Sequence, residues 1–149
     1  MTQRRASGAI GNDGATTGDM VVGGGGTLVL TGDNTHSDGT TVDSGATLSI
    51  SAADNIGTGT LTLQNGATLD LSAAFNLANA ISLSGAATIK VTNFWNSLLD
   101  PIAGAGSLNV TGGGGLALES DDNTYSGGTT VNGGALDISL PGAPSGKGR

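Results

Sequence analysis

The sequence predicts an all-β protein, a parallel β-solenoid of about four or five coils. Three observations carry that reading. The chain contains one unit twice: residues 23 to 50, GGGGTLVLTGDNTHSDGTTVDSGATLSI, return as residues 112 to 139, GGGGLALESDDNTYSGGTTVNGGALDIS. Asn34 matches Asn123, an offset of 123 − 34 = 89, and Thr40-Thr41-Val42 keeps that offset against Thr129-Thr130-Val131, with single-residue slips on either side. A recurring unit of this kind signals a repeat architecture. The second observation is short period-two alternation, which puts one side chain inward and the next outward on a strand. The third is that the apolar part of each strand is only two residues deep, with Ser, Thr and Asn recurring beside turns, where they can stack from coil to coil. Strand spacing alone would also allow a β-sandwich.

Taken in order, the strands begin at Thr27-Leu28-Val29-Leu30, with a shorter one at Thr41-Val42, and continue at Thr47-Leu48-Ser49-Ile50. Thr60-Leu61-Thr62-Leu63, Thr68-Leu69-Asp70-Leu71, Ala80-Ile81-Ser82-Leu83 and Thr88-Ile89-Lys90-Val91 follow. Ser107-Leu108-Asn109-Val110, Leu116-Ala117-Leu118, Thr130-Val131 and Leu136-Asp137-Ile138 close the series. Turns fall at Ser44-Gly45, Asn65-Gly66, Ser84-Gly85 and Gly133-Gly134, where glycine supplies positive φ at low cost. No stretch keeps a helical period. Eleven strands at three per coil set the expected coil count, and at about 4.8 Å per coil the body would be roughly 20–25 Å long. The expected core is Leu28, Leu30, Leu48, Ile50, Leu61, Leu63, Leu69, Leu71, Leu108, Val110, Leu136 and Ile138, with Asp70, Lys90, Asn109 and Asp137 outward. Residues 1–19 read as an N-terminal lead or cap, 20–139 as the repeat domain, and 140–149 as a flexible Pro/Gly-rich tail.

Composition narrows the function. The 149 residues include 28 Gly, no Cys and only four aromatics, so the core must be aliphatic. All twelve acidic residues lie between Asp13 and Asp137, where Lys90 is the only Lys or Arg; Arg4, Arg5, Lys147 and Arg149 occupy the tails. An acidic body repels phosphate backbones, so nucleic acid is not an expected partner. Absence of cysteine removes disulfides and Cys-ligated metals. No apolar window is long enough for a membrane helix, and Arg4-Arg5 is not followed by the apolar run of a secretory signal.

The segment Asn123 to Leu136, NTYSGGTTVNGGAL, resembles the passenger-associated transport repeat, also called the autotransporter-associated β-strand repeat. Ile102-Ala103-Gly104-Ala105-Gly106-Ser107-Leu108 resembles its glycine-spaced lead-in, and Gly115-Leu116-Ala117-Leu118 its preceding strand. Gly57 to Ser72 resembles the linking strands of such arrays. The first copy departs from the pattern: His36 replaces the tyrosine and Asp38 the first glycine of the pair. The likeness covers about residues 20–139. It implies a right-handed parallel β-helix in a surface or secreted passenger of a Gram-negative bacterium, placed where the repeat assists folding during secretion. A β-barrel translocator normally follows, and none does here, so a fragment or free-standing relative is expected.

Candidate sites are few. The residues of the two repeated turns, Asn34, Thr35, His36, Gly39 and Thr40, and Asn123, Thr124, Tyr125, Gly127, Gly128 and Thr129, are read as structural. Asparagine tolerates left-handed backbone and bonds nearby main chain, and stacked ladders satisfy polar groups along a solenoid. Asn34 and Asn123 are expected at equivalent corners. Phe94 and Trp95 are either a corner plug or an exposed contact for a partner or a sugar ring. Asp121-Asp122 lacks a second carboxylate at a set distance for glycoside chemistry, and the lone His36 lacks a nucleophile for a triad. Gly23–Gly26 and Gly112–Gly115 precede neither Lys-Ser/Thr nor a helix, so they are not phosphate loops. Asp13 and Asp19 flank a loop with calcium-like but loose spacing. A Thr array for ice would need a regular pair at every coil, and the spacing looks irregular.

The expected function is therefore a non-catalytic surface-display stalk or folding module of an autotransporter-type passenger, extracellular or on the cell surface, without catalytic residues, cofactor or metal. The alternatives are a self-assembling extracellular fibre subunit, with head-to-tail association through the solenoid ends, and a polysaccharide-binding or -processing β-helix. The first is separated by light scattering across concentration, the second by calcium-dependent cleavage of acidic glycans. Any host or surface ligand is unknown at this level.

Overall fold

The computed structural model describes residues 3–6, 8, 10–11 and 18–138. Three parallel sheets form the faces of a β-solenoid. Sheet I has seven strands, Gln3–Ala6, Thr27–Leu30, Thr47–Ile50, Thr68–Leu71, Ala87–Val91, Leu108–Thr111 and Thr129–Val131. Sheet II has five, Asp19–Val22, Gly39–Val42, Leu61–Leu63, Ile81–Leu83 and Ile102–Ala103. Sheet III has four, Asn76–Leu77, Trp95–Leu98, Gly115–Leu118 and Ala135–Asp137. Where both faces are fully formed, the chain passes from sheet I to III to II and back.

Registers fix the coil length. Thr27 pairs with Thr47, Thr47 with Thr68, and Thr68 with Thr88, so a coil takes 20 or 21 residues here, while the first, from Gln3 to Thr27, takes 24. Seven strands in sheet I make about six turns, not the four or five expected. At about 4.8 Å per coil the stack is roughly 29 Å long. The undercount has a physical cause. Gln3–Ala6, Asp19–Val22, Asn76–Leu77, Trp95–Leu98 and Ile102–Ala103 are strands held by their neighbours' ladders, and their own sequences are short, polar or, in Asp19–Val22, a non-alternating apolar run. Gln3–Ala6, inside the segment read as a lead or cap, pairs in parallel with Thr27–Leu30. The 140–149 tail lies outside the described residues. A single 3-10 turn, Ala53–Ile56, fills the sheet III position of one coil.

The interior is a set of aliphatic columns. Leu48, Leu69, Ile89 and Val110 stack in register, as do Leu30, Ile50, Leu71 and Val91. Val22, Val42, Leu63 and Leu83 line sheet II, and Leu77, Leu98 and Leu118 line sheet III. All are buried. Each coil thus adds one apolar layer between two others, and its backbone bonds to the coils above and below. Of the expected core, Leu28, Leu136 and Ile138 are only half-buried. They belong to the end coils: the residue beside Leu28 in the first strand is Arg4, and Leu136 lies in the last described strand. Lys90 and Asp137 are exposed; Asp70 and Asn109 are half-buried, with Asp70 accepting from Ser49 Oγ at 2.9 Å.

The outer face of sheet I corrects a second expectation. Thr27, Thr47, Thr68 and Thr88 form an unbroken column, followed by Asn109 and Thr130. The next outward column reads Val29, Ser49, Asp70, Lys90 and Thr111, so the regular threonines have no matching second row.

Candidate functional site: repeated turns and an aromatic face

The two repeated turns have the same local design. In the first, the Asn34 side-chain oxygen accepts from the Ile10 N–H at 2.6 Å, and its amide donates to the Asn55 carbonyl. In the second, the Asn123 oxygen accepts from the Ile102 N–H at 2.8 Å, and its amide donates to the Ser120 carbonyl at 2.8 Å. Backbone follows suit: Thr35 N–H donates to Ile10 and Thr124 N–H to Ile102, both at 2.8 Å. Four residues further along, His36 Nε2 meets Thr40 Oγ1 at 2.8 Å, and Tyr125 Oη meets Thr129 Oγ1 at 2.5 Å. His36 therefore substitutes for tyrosine in the same side-chain contact. Gly39 is required where it stands: φ is +109° and an added Cβ would lie 2.5 Å from the Thr60 carbonyl oxygen. Gly127 is as tight, with a Cβ 2.5 Å from Gly106, while Gly128 needs its positive φ but meets nothing.

The corners are nevertheless not equivalent. Thr40 pairs with Leu61, Leu61 with Ile81 and Ile81 with Ile102, and Asn123 and Thr124 bond to Ile102. Asn123 thus stands four coils above Thr40, not above Asn34. Asn34 is buried beside Asn55, at the sheet III position. The strand after the first turn, Gly39–Val42, lies in sheet II; its counterpart Thr129–Val131 lies in sheet I. The 89-residue offset is four coils plus a remainder, which carries the second copy onto another face.

Asn34 also begins a polar ladder inside the solenoid. Asn55 donates to the Gly32 carbonyl at 3.1 Å and accepts from Ser51 N–H at 2.8 Å and Ala52 N–H at 2.9 Å. Asn96 donates to the carbonyls of Ala73 and Phe75 at 2.8 and 3.1 Å, and its oxygen has no partner. Asn55 and Asn96 were not singled out in the sequence. The available signal was their spacing of about two coils, but neither carries the Asn-Thr pair that marks the other turns.

His36 is 1% exposed. Thr40 Oγ1 lies between His36 Nε2 and the Ile56 carbonyl, at 2.8 and 3.4 Å. Burial lowers the His36 pKa below its ordinary 6.5, against weaker opposing effects of the Ile10 backbone and the Asp19 charge. No nucleophile faces the ring in these contacts. Asp121 and Asp122 are exposed on the outer turn, with Asp122 N–H on Ser120 Oγ at 3.2 Å. Asp13 lies outside the described residues; among those described, no three His, Cys, Asp or Glu side chains gather as a metal site. No described helix is long and apolar enough to cross a membrane.

Phe94 and Trp95 are 40% and 59% exposed on the outside of sheet III. Trp95 pairs with Gly115, which pairs with Ala135. The run Gly112–Gly115 crosses directly over the preceding coil. An added Cβ on Gly112 would come within 2.1 Å of the Val91 oxygen, and one on Gly114 within 2.4 Å of the Phe94 oxygen. These glycines serve coil stacking.

Three parallel sheets, one aliphatic interior and a doubled Asn-turn-strand unit define a parallel β-solenoid. Residues 20–50 and 103–138 match the passenger-associated-transport-repeat, so the chain is a β-solenoid that carries these repeats. It is similar to the Adhesin BmaC autotransporter of Brucella suis biovar 1 (strain 1330), 34% identical over 114 residues that make up 76% of this chain. The matched stretch is 3% of that protein's length. No solved structure gives a significant match.

Proposed function

We propose that the chain is a rigid, non-catalytic stalk segment of a passenger displayed outside the cell. The observation that carries this is the uninterrupted core: the inward columns of sheet I run through four coils of buried aliphatic side chains without a gap for a ligand. Such a body resists bending because every coil is bonded along its length to two others. The name of the BmaC adhesin, and the transport repeats themselves, support an extracellular or cell-surface location. The test is surface display. The chain, fused between an epitope tag and an autotransporter barrel, should present a protease-accessible tag on a protease-resistant body. A tag retained inside the cell, or a body digested as fast as an unfolded chain, defeats the reading.

A second reading is supported by charge. Arg4 and Arg5 occupy the first strand, while Asp121 and Asp122 are exposed in the last described coil. Unlike charges at opposite ends favour head-to-tail stacking of copies, a heterologous contact that need not close. Association would weaken as salt rises. Sedimentation across protein and salt concentration decides it; a monomer at high protein and low salt removes the fibre reading and leaves the stalk.

A further inference from the structure

We infer that Trp95 is a stacking platform for a neutral pyranose sugar, a binding surface separate from the stalk's own packing. The geometry of the indole carries this. A Cβ built on Gly115 would lie 2.5, 2.5 and 2.6 Å from Trp95 Cδ2, Cε2 and Cε3. These three atoms follow one another around the six-membered ring, and only a point off the ring plane is that evenly distant from all three. The indole therefore lies with one face over the Gly115 backbone. With Trp95 59% exposed, the opposite face is open.

The surroundings fit a flat, uncharged ligand. A shallow recess of about 360 Å³ runs from Asn93, Phe94 and Trp95 across Gly113, Gly114 and Gly115 to Gly134 and Ala135. No charged side chain lines it, and five of its eight lining residues are Gly or Ala. Asn93 provides a hydrogen-bonding amide at the rim. An aromatic face attracts the weakly positive C–H groups on the apolar side of a pyranose, as it attracts other positive edges. The net charge of −7, with Asp137 in the adjacent outward column, disfavours anionic sugars. A second copy of this chain is the competing occupant.

Trp95 is the only tryptophan, so its emission reports this surface alone. Titration with chitotetraose and cellotetraose should shift and saturate that emission, while a tetragalacturonate of equal length should not. Affinity electrophoresis through a neutral β-glucan gel should retard the native chain, and Trp95→Ala should weaken binding by about tenfold or more. Gly115→Ala keeps the tryptophan but pushes the indole off its seat; it should lower affinity by at least about threefold, in a protein whose melting shows it folded. Three results overturn the inference: unchanged emission with both neutral sugars up to tens of millimolar (about the weakest range worth testing), equal retardation of Trp95→Ala, or emission that follows protein concentration instead of sugar. The last would assign the face to a second copy.

Discussion

Leu69→Ala tests whether the interior is a tightly stacked core. Leu69 is fully buried in sheet I, with Leu48 on one side and Ile89 on the other in the same inward column. Truncation removes the equivalent of three carbons, about 2.4 kcal/mol of transfer free energy at ~0.8 per methylene. The remaining question is collapse. Thr68–Leu71 is bonded to strands on both sides, so its backbone cannot move inward without breaking two ladders. A residual cavity of some tens of Å3 at ~24 cal/mol per Å3 adds about 1 kcal/mol. The expected loss is therefore roughly 3–4 kcal/mol, within the range for buried leucines. Leu28→Ala, half-buried in an end coil, should lose less than about half as much. Urea unfolding of both variants measures this, with the slope of the transition monitored because repeat proteins can lose end coils separately. A loss below about 1 kcal/mol for Leu69→Ala, or equal losses at the two positions, would refute the stacked-core argument.

Asn55→Ala should cost about 2–4 kcal/mol, because it frees the half-buried N–H groups of Ser51 and Ala52 and the buried Gly32 carbonyl at once; urea unfolding measures it, and a neutral result would mean that water replaces the amide. Gly112→Ala, at φ +96° and 2.1 Å from the Val91 oxygen, should destabilise far more than Gly24→Ala, at φ +83° with nothing near. Equal melting temperatures for those two would show that strain in φ, not coil contact, sets the cost. For His36, the lowered pKa means that below pH 6.5 the unfolded chain takes up the proton before the folded one. Stability from this group is fully present above 6.5 and falls as pH drops toward the folded value. Melting between about pH 7.5 and 5, above most carboxylate titration, should show that fall in the native chain and lose it in His36→Gln.

Much of this architecture is legible in the residues because a solenoid strand must satisfy two local conditions, an inward aliphatic pair and a turn glycine. Thr47-Leu48-Ser49-Ile50 and Thr68-Leu69-Asp70-Leu71 meet both, and the burial of their Leu and Ile follows from alternation, although the outward Ser49, bonded to Asp70, is buried as well. Asn76–Leu77 and Ile102–Ala103 are too short for alternation; only the registers against Ser97–Leu98 and Ile81–Ser82 make them strands. The aromatic pair was visible as a composition anomaly. The openness of one indole face was not, since it depends on which residue of the next coil lies beneath it, and that residue is Gly115, twenty positions away.

The same reasoning explains why the most conspicuous repeat misleads about its own placement. The true structural period is 20 or 21 residues, visible as Thr27, Thr47, Thr68 and Thr88. The longer repeat, at 89, is not a whole number of those periods. What recurs is a self-contained turn: asparagine bonded to the previous coil, an aromatic or imidazole side chain on a threonine four residues later, and a strand after glycine. Each of its contacts is either within five residues or to the backbone of an adjacent coil, and backbone is present on every face. The motif can therefore be set down on sheet II in one copy and sheet I in the other with the asparagine oxygen still on the coil below and the ring still on its threonine, while the asparagine amide changes partner, from the Asn55 carbonyl to that of Ser120. Side-chain surroundings do change. Asn34 and His36 are enclosed by further coils, whereas Asn123 and Tyr125 stand in the last described one and are half-buried. Exchanging the pair tests this directly. Tyr125→His should leave melting nearly unchanged, because the contact with Thr129 persists at an open site, while His36→Tyr must fit a larger ring against Gly57, whose Cβ position is already 3.0 Å from His36 Nδ1. Overpacking of that kind costs about 1–3 kcal/mol. Equal effects at the two positions would mean that the turns are interchangeable in environment as well as in bonding, and the face shift would then have no energetic consequence.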